Sequence, residues 1–159
     1  MGEFAEKVAF VTGAGAGFGE AFSHALSAQG ASVVLADIDG DAASRVAAAI
    51  VSKGGQALGV VCDVADEASV ADAVSKATEA FGGVDILINN AGLHSAEYNQ
   101  PIAALGMEKI NRLFAVNVMG GIHCAMACRA SMRARGGGVI LNLASLAAYL
   151  NSTIYGVSK

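Results

Sequence analysis

Thr12-Gly13-Ala14-Gly15-Ala16-Gly17-Phe18-Gly19 stands between an apolar run, Val8 to Val11, and a segment of helical character, Glu20 to Ala28. A strand that breaks at glycines and re-enters as a helix makes a cradle for phosphate. Glycine permits the sharp turn and lets the backbone approach a diphosphate with no Cβ in the way. The helix that follows presents unpaired N–H groups and the positive end of its dipole to that anion. Such a terminus contributes only ~0.3–1 kcal/mol per exposed charge, and up to ~2 kcal/mol when partly buried. The rest of any affinity must come from the whole nucleotide. The spacing is not G-x-G-x-x-G: counted from Gly13 the last glycine would fall on Phe18, and from Gly15 on Glu20. It is T-G-x-x-x-G-x-G. Alone, this turn is equally compatible with a plain strand-to-helix connection, so its reading depends on what lies downstream.

Outward from the turn, strand and helix signals alternate. Ser32 to Asp37 is a predicted strand. Asp41 to Lys53 is a predicted helix, with Ala42, Val46, Ala47, Ile50 and Val51 on one face, stopped by Gly54-Gly55. Ala57 to Cys62 is a third strand, and Asp66 to Phe81 a helix with Val70, Ala73, Val74 and Ala77 at helical spacing. Val84 to Asn89 is a fourth strand. A loop from Leu93 to Leu105 holds Pro101, and a long helix runs from Glu108 to about Arg135, ended by Gly136-Gly137-Gly138. Val139 to Leu143 is a fifth strand, Leu146 to Ile154 a loop, and a last helix begins at Asn151 or Ser152. This order predicts one α/β domain over residues 1–159: a doubly wound parallel sheet, right-handed crossovers, and helices on both faces. Ligands in such sheets bind beyond the carboxyl ends of the strands. The polar residues sit there: the glycine turn, Asp37, Asp63, Asn90 and Ser145 follow the five strands in order.

Composition narrows the class. A chain of 159 residues is enough for one domain with a sizeable core. It is 54% hydrophobic with a mean hydropathy of +0.52, and the excess is in Ala and Val, as in strands buried on both faces. No apolar run approaches the ~20 residues of a membrane helix. Glu3 and Glu6 and the absence of a long apolar region argue against a signal peptide, and Glu6 stands where myristoylation wants Ser or Thr. A net charge of −4, a pI near 5.2 and no basic stripe argue against nucleic acid as partner. Cys62, Cys124 and Cys128, odd in number and unpaired in spacing, are expected as reduced thiols in a cytoplasmic protein. His123 with Cys124 and Cys128 lacks a fourth ligand, so helix packing rather than metal is expected. His24 is expected on its helix surface or packed against a neighbour, and His94 in a loop near a substrate path.

Two further features carry chemistry. Asp37 ends the second strand, where a carboxylate can accept hydrogen bonds from the ribose hydroxyls of NAD and would repel the 2′-phosphate of NADP. Asp39 and Asp41 compete for the plainer role of helix cap. No Arg or Lys lies in the glycine turn or directly after Asp37, which again favours NAD. Tyr155 and Lys159 are spaced i and i+4, so phenol and ammonium share a helix face. A free phenol titrates near ~10, and bringing it to ~7 needs roughly 4 kcal/mol. A neighbouring cation moves it in that direction.

With Thr12–Gly19, Asp37, Asn89-Asn90-Ala91-Gly92, Asn117, Ser145 and Tyr155/Lys159 in this order, the chain resembles the short-chain dehydrogenase/reductase family along its whole length. The resemblance implies a Rossmann fold of three α/β/α layers and NAD-dependent hydride transfer between a cofactor and a small alcohol or carbonyl substrate. By similarity Gly13, Gly17, Phe18 and Gly19 bind the cofactor's diphosphate region, Asp37 the adenosine ribose, and Asp63 with Val64 the adenine. Asn90, Ala91 and Gly92 brace the sheet beside the cofactor. Tyr155 is the general acid/base, Lys159 holds the nicotinamide ribose and tunes Tyr155, Ser145 binds the substrate oxygen, and Asn117 holds a water in a proton relay. The family also implies a homodimer or homotetramer at full length, with the long helix in the subunit contacts. Two departures stand out. Ser145 and Tyr155 are ten residues apart, closer than is common in the family. The chain also ends at Lys159, where members continue through further strands, so an N-terminal fragment with its C-terminal strands missing is expected. For that fragment the competing expectation is NAD binding without catalysis.

Overall fold

The computed structural model describes residues 2–93, 98, 100–150 and 153–159. β1 (Val8–Thr12) is buried along its whole length, as a strand covered on both faces must be. Its parallel neighbours are β2 (Ser32–Asp37), from Val8↔Ser32 to Thr12↔Ala36, and β4 (Ile86–Asn89), from Ala9↔Ile86 to Val11↔Ile88. β3 (Gln56–Val61) adds beyond β2, and β5 (Val139–Asn142) beyond β4, giving the order β3-β2-β1-β4-β5. The chain steps outward through β2 and β3, then returns to the far side of β1. The strand order therefore reverses between β1 and β4, and a crevice opens there at their carboxyl ends.

Alternation along the strands builds two cores. Phe10, Val34 and Leu87 point to one face, where Val70 and Val74 of α3 (Glu67–Phe81) and Cys124, Cys128 and Met132 of α5 (Gly120–Ala134) cover them. Val11, Val33, Leu35 and Ile88 point to the other, against Ala43, Val46 and Ile50 of α2 (Gly40–Ser52) and Phe22 and Leu26 of α1 (Gly17–Ala28). These are the three layers expected from the sequence. Asp39 caps α2 by accepting the Ala42 N–H at 3.0 Å, and Asp66 caps α3 by accepting that of Ala68 at 3.0 Å.

The expected boundaries need correction in several places, beginning with β3 and β4, which start at Gln56 and Ile86 rather than Ala57 and Val84. The first helix starts inside the glycine turn, at Gly17 rather than Glu20. α4 (Ile102–Phe114) starts where a loop was expected, because Pro101, with φ −53°, already sets the backbone for a helical turn. Gly106, at φ +66° and ψ +151°, then breaks it, which hides that first turn from any periodicity. The long helix is not uniform: Ala115–Met119 widens into a π-helical turn between α4 and α5. The loop after β5 contains a single turn, α6 (Ala147–Leu150), started by Ser145, whose hydroxyl accepts the Ala147 N–H at 3.2 Å. The final turn, α7 (Ile154–Val157), is capped by Thr153; Asn151 and Ser152 lie outside the described residues. Ile102–Ala134 forms a 33-residue helical stretch that is long and apolar enough to cross a membrane by length and composition. No single apolar run in the sequence suggested this. Its inner face packs into the core through Val116, Cys124, Cys128 and Met132. β5 is an edge strand, with Val139 61% and Leu141 47% exposed.

Candidate cofactor and catalytic site

The glycine turn is fixed from beneath by one hydroxyl. Thr12 Oγ1 accepts the N–H groups of Asn90 (3.1 Å) and Ala91 (3.0 Å) and donates to Ile88 O at 3.3 Å. In return, Asn90 Nδ2 donates to Thr12 O at 2.8 Å and Gly13 O at 3.0 Å. The Asn90-Ala91-Gly92 segment after β4 is thereby tied to the turn after β1. Gly17 sits at φ +58°, which favours glycine, and no heavy atom lies within 4 Å of where its Cβ would be. The opening beside it, at the amino end of α1, is where an anion can approach. Gly19 is different: a Cβ there would collide with Gly13 O. Phe18 is 74% exposed at the rim and stacks on Phe22, with ring centroids 6.3 Å apart.

Asp37 is held by two backbone donors. Gly15 N–H reaches Oδ2 at 2.8 Å and Asp39 N–H reaches Oδ1 at 3.0 Å. Asp39 takes the capping role, so Asp37 remains free of it and presents an oriented carboxylate. A cavity of about 230 Å³ is lined by Asp37, Asp63, Val64, Ala91 and Gly92. The residues expected to hold the adenosine half, Asp37, Asp63 and Val64, thus meet from the ends of β2 and β3, beside the Ala91-Gly92 segment after β4. Asp63 accepts the Ala65 N–H at 2.9 Å and pairs with Arg112 of α4 at 3.4 Å.

The second half of the site is built around Asn117, in the π-helical turn. Its Oδ1 accepts the Leu93 N–H at 2.7 Å, and its Nδ2 donates to Ser158 Oγ at 3.0 Å. Ser158 is buried and donates in turn to Tyr155 O at 2.7 Å. Asn117 therefore ties the segment after β4 to the Tyr155–Lys159 turn. A cavity of about 500 Å³ is lined by Thr12, Ala91, Asn117, Ser158 and Lys159 among others. Lys159 Nζ lies 3.6 Å from where a Cβ on Gly92 would be, and burial pushes its pKa below the usual lysine value. Tyr155 is half-buried against Leu105 and Leu113. Ser145 follows β5 as expected, with its hydroxyl engaged in starting α6.

Among the other candidates, His24 is half-buried on α1, and His123 Nδ1 lies 2.9 Å from Val64 O. Burial pushes the thiols of Cys62 and Cys128 up to about 12 and that of Cys124 upward as well. All three are buried in the core as thiols. His94 lies outside the described residues. Two residues went unread in the sequence. Ser158 is one, enclosed in the Tyr–Lys spacing. The other is Arg45 on α2, whose Nη2 donates to Gly15 O at 2.8 Å and whose Nη1 approaches Glu20 at 3.5 Å. A basic group does reach the glycine turn, then, carried there by tertiary structure.

A parallel sheet of this order with a glycine turn at its reversal point defines a dinucleotide-binding protein of the Rossmann type. The chain belongs to the short chain dehydrogenase family, whose model matches residues 7–159. It is 43% identical over 156 residues to an uncharacterised oxidoreductase of Mycobacterium tuberculosis, covering 98% of this chain and 63% of that protein. It is 38% identical over 157 residues to the 7alpha-hydroxysteroid dehydrogenase of Escherichia coli, covering 96% of this chain and 60% of that one. A crystal structure of a short chain dehydrogenase/reductase from Burkholderia phymatum in complex with NAD superposes with a TM-score of 0.91 at 36% identity, covering 99% of this chain and 57% of that one. The chain thus spans about three fifths of the length of the relatives it matches. The family uses a nicotinamide cofactor.

Proposed function

We propose that residues 1–159 act as an NAD(H)-binding unit, and that the protein at its relatives' full length is a dehydrogenase/reductase acting on an alcohol or ketone. The observation that carries this reading is the Asn117–Ser158–Tyr155 hydrogen-bond chain, which seats the Tyr155–Lys159 turn beside the Gly92 edge of the cofactor crevice. Without it a Tyr–Lys spacing is only a helical turn.

The residues present fit a dinucleotide. The open position beside Gly17, at the amino end of α1, suits a diphosphate. The carboxylate of Asp37 accepts ribose hydroxyls and repels a 2′-phosphate, which supports NAD over NADP. Asp63 and Val64 line the adenine end. When bound, the nicotinamide supplies or accepts the hydride. Tyr155 gives or takes the hydroxyl proton of the substrate, and Lys159 is assigned to the nicotinamide ribose. Ser145 is assigned to the substrate oxygen and Asn117 to a proton-relay water. Met119 and Met126, exposed apolar side chains of the long helix, support a homodimer or homotetramer for the full-length protein. The test has two stages. NADH is titrated into this chain by fluorescence, and the full-length protein is then assayed at 340 nm with a panel of secondary alcohols. Failure of this chain to bind NADH, or of the full-length protein to turn over any alcohol or ketone, refutes the reading.

A further inference from the structure

The glycine turn is held on two sides at a single residue, and only one of those sides belongs to the expected cofactor set. The amide of Gly15 is fixed by Asp37, and its carbonyl is fixed by Arg45 from α2 at 2.8 Å. The same guanidinium approaches Glu20 at 3.5 Å, in the first turn of α1. Glu20 is an acidic group at the helix end that faces the crevice, and a diphosphate arriving there meets its repulsion. We propose that Arg45 is a positioning residue for diphosphate binding: it locks the Gly15 peptide from outside and offsets the charge of Glu20. The inference rests on the cofactor reading above and concerns the same site.

The physical reasoning starts with the turn's freedom. Gly13 and Gly17 both occupy positive φ, at +62° and +58°. With glycine at positions 13, 15, 17 and 19, the loop has many conformations to lose when it closes on a ligand. Ala14 N–H is held at 3.3 Å by Ala36 O, and Gly15 is held at both ends. Ala16 and Gly17 follow directly and form the amino end of α1. Fixing Gly15 before the ligand arrives removes an ordering cost from binding, and that gain shows in affinity. A guanidinium suits the task. Its fork reaches a carbonyl with one nitrogen and a carboxylate with another. Lysine can reach either but cannot join them in the same way.

The experiment uses the 159-residue chain and three probes: NADH by fluorescence, and ADP and adenosine by displacement of NADH. Arg45→Ala is expected to weaken NADH and ADP about tenfold, equivalent to about 1.4 kcal/mol, and adenosine by less than twofold. The unfolding midpoint of the ligand-free chain is expected to stay where it is. Arg45→Lys recovers part of the loss, and Glu20→Gln in the Arg45→Ala background recovers part by removing the uncompensated charge. If the unaltered chain binds NADH and Arg45→Ala binds NADH and ADP within twofold of it, the proposal is wrong. Equal losses for adenosine and ADP with a lowered unfolding midpoint also overturn it, because they mark a purely structural contact. If the unaltered chain binds no NADH, the cofactor reading falls first and this inference with it.

Discussion

Thr12→Val removes one hydroxyl and keeps the shape of the side chain. Thr12 is 1% exposed, and a hydroxyl offers one donor and two acceptor sites. All three are used: two backbone N–H groups arrive from Asn90 and Ala91, and the proton goes to Ile88 O. Valine leaves the Ala91 N–H without its acceptor, while the Asn90 N–H keeps Ile88 O at 3.1 Å. An unsatisfied buried polar group costs ~1–3 kcal/mol, and one amide is orphaned here, so the substitution costs about that much. Against a typical total of about 5–15 kcal/mol, that is a large part of the fold's stability. Urea unfolding reads it as a fall in midpoint at unchanged slope. Thr12→Ser is the control: it keeps the hydroxyl and loses a methyl, worth about 0.8 kcal/mol. NADH affinity should fall in the valine variant as well, since Asn90 and the glycine turn share this anchor. A valine variant within 0.5 kcal/mol of the parent, or a serine variant as damaged as valine, would refute the reasoning.

Asp37→Asn in the full-length protein should erase most of the preference for NAD; a hydrogen bond to a charged group is worth ~1.5–3 kcal/mol, or about tenfold to a hundredfold in kcat/KM. If the ratio of kcat/KM for the two cofactors is unchanged, Asp37 is not the discriminator. Tyr155→Phe should abolish turnover of the full-length protein while NADH binding stays within about threefold; a variant that keeps a tenth of the parent kcat contradicts the acid/base role. Burial raises the pKa of Asp85, but the hydrogen bonds from Arg135 (2.8 Å) and Val8 N–H (2.8 Å) outweigh it and hold the carboxyl below its usual range. Its contribution is therefore present above the unfolded carboxyl pKa of ~3.9 and is lost as pH falls through the folded value. Asp85→Asn should cost ~1.5–3 kcal/mol at pH 6 and show a smaller drop in urea midpoint between pH 6 and pH 3 than the parent; an equal drop means that other carboxylates set the acid limb.

What the sequence exposes is what local chemistry encodes. The strands were readable because β1 and β2 are covered on both faces and use unbroken apolar runs. Asp39 and Asp66 were within a residue or two of the helix starts they cap, as a short acceptor side chain before an apolar periodicity should be. Pro101 and Gly106 cancelled each other in the text: one opens α4 and the other interrupts it within five residues, so only the helix after the interruption carried a period. The π-helical turn at Ala115–Met119 left no mark either. An extra residue in one turn shifts the buried face slightly, and small apolar residues on both sides accept the shift. Asp85 was folded into a predicted strand because its neighbours Val84 and Ile86 are apolar. The structure starts β4 two residues later, at Ile86, and makes Asp85 the staple between β1, β5 and Arg135.

The same division runs through the site. Residues at strand ends could be read because topology alone sends the carboxyl ends of parallel strands to one crevice, whatever their partners are. Residues that reach the crevice from a helix could not, since their role depends on which side chain faces them across the fold. Ser158 lies inside the Tyr155–Lys159 spacing, yet its hydroxyl has a purpose only opposite Asn117, 41 residues earlier. Arg45 lies on a helix face that periodicity assigns to solvent, and its head reaches Gly15, 30 residues back. Thr12 is the instructive middle case. Its place before the first glycine was read as the opening of the glycine motif, and the structure makes it the last residue of β1. That its hydroxyl also fixes the segment after β4 follows from the sheet order, because β4 and not β2 carries the Asn90-Ala91 amides to its side of β1. A motif residue of this kind has its identity set by a neighbour the motif does not contain, so the T-G-x-x-x-G-x-G and N-N-A-G stretches are two halves of one hydrogen-bonded unit.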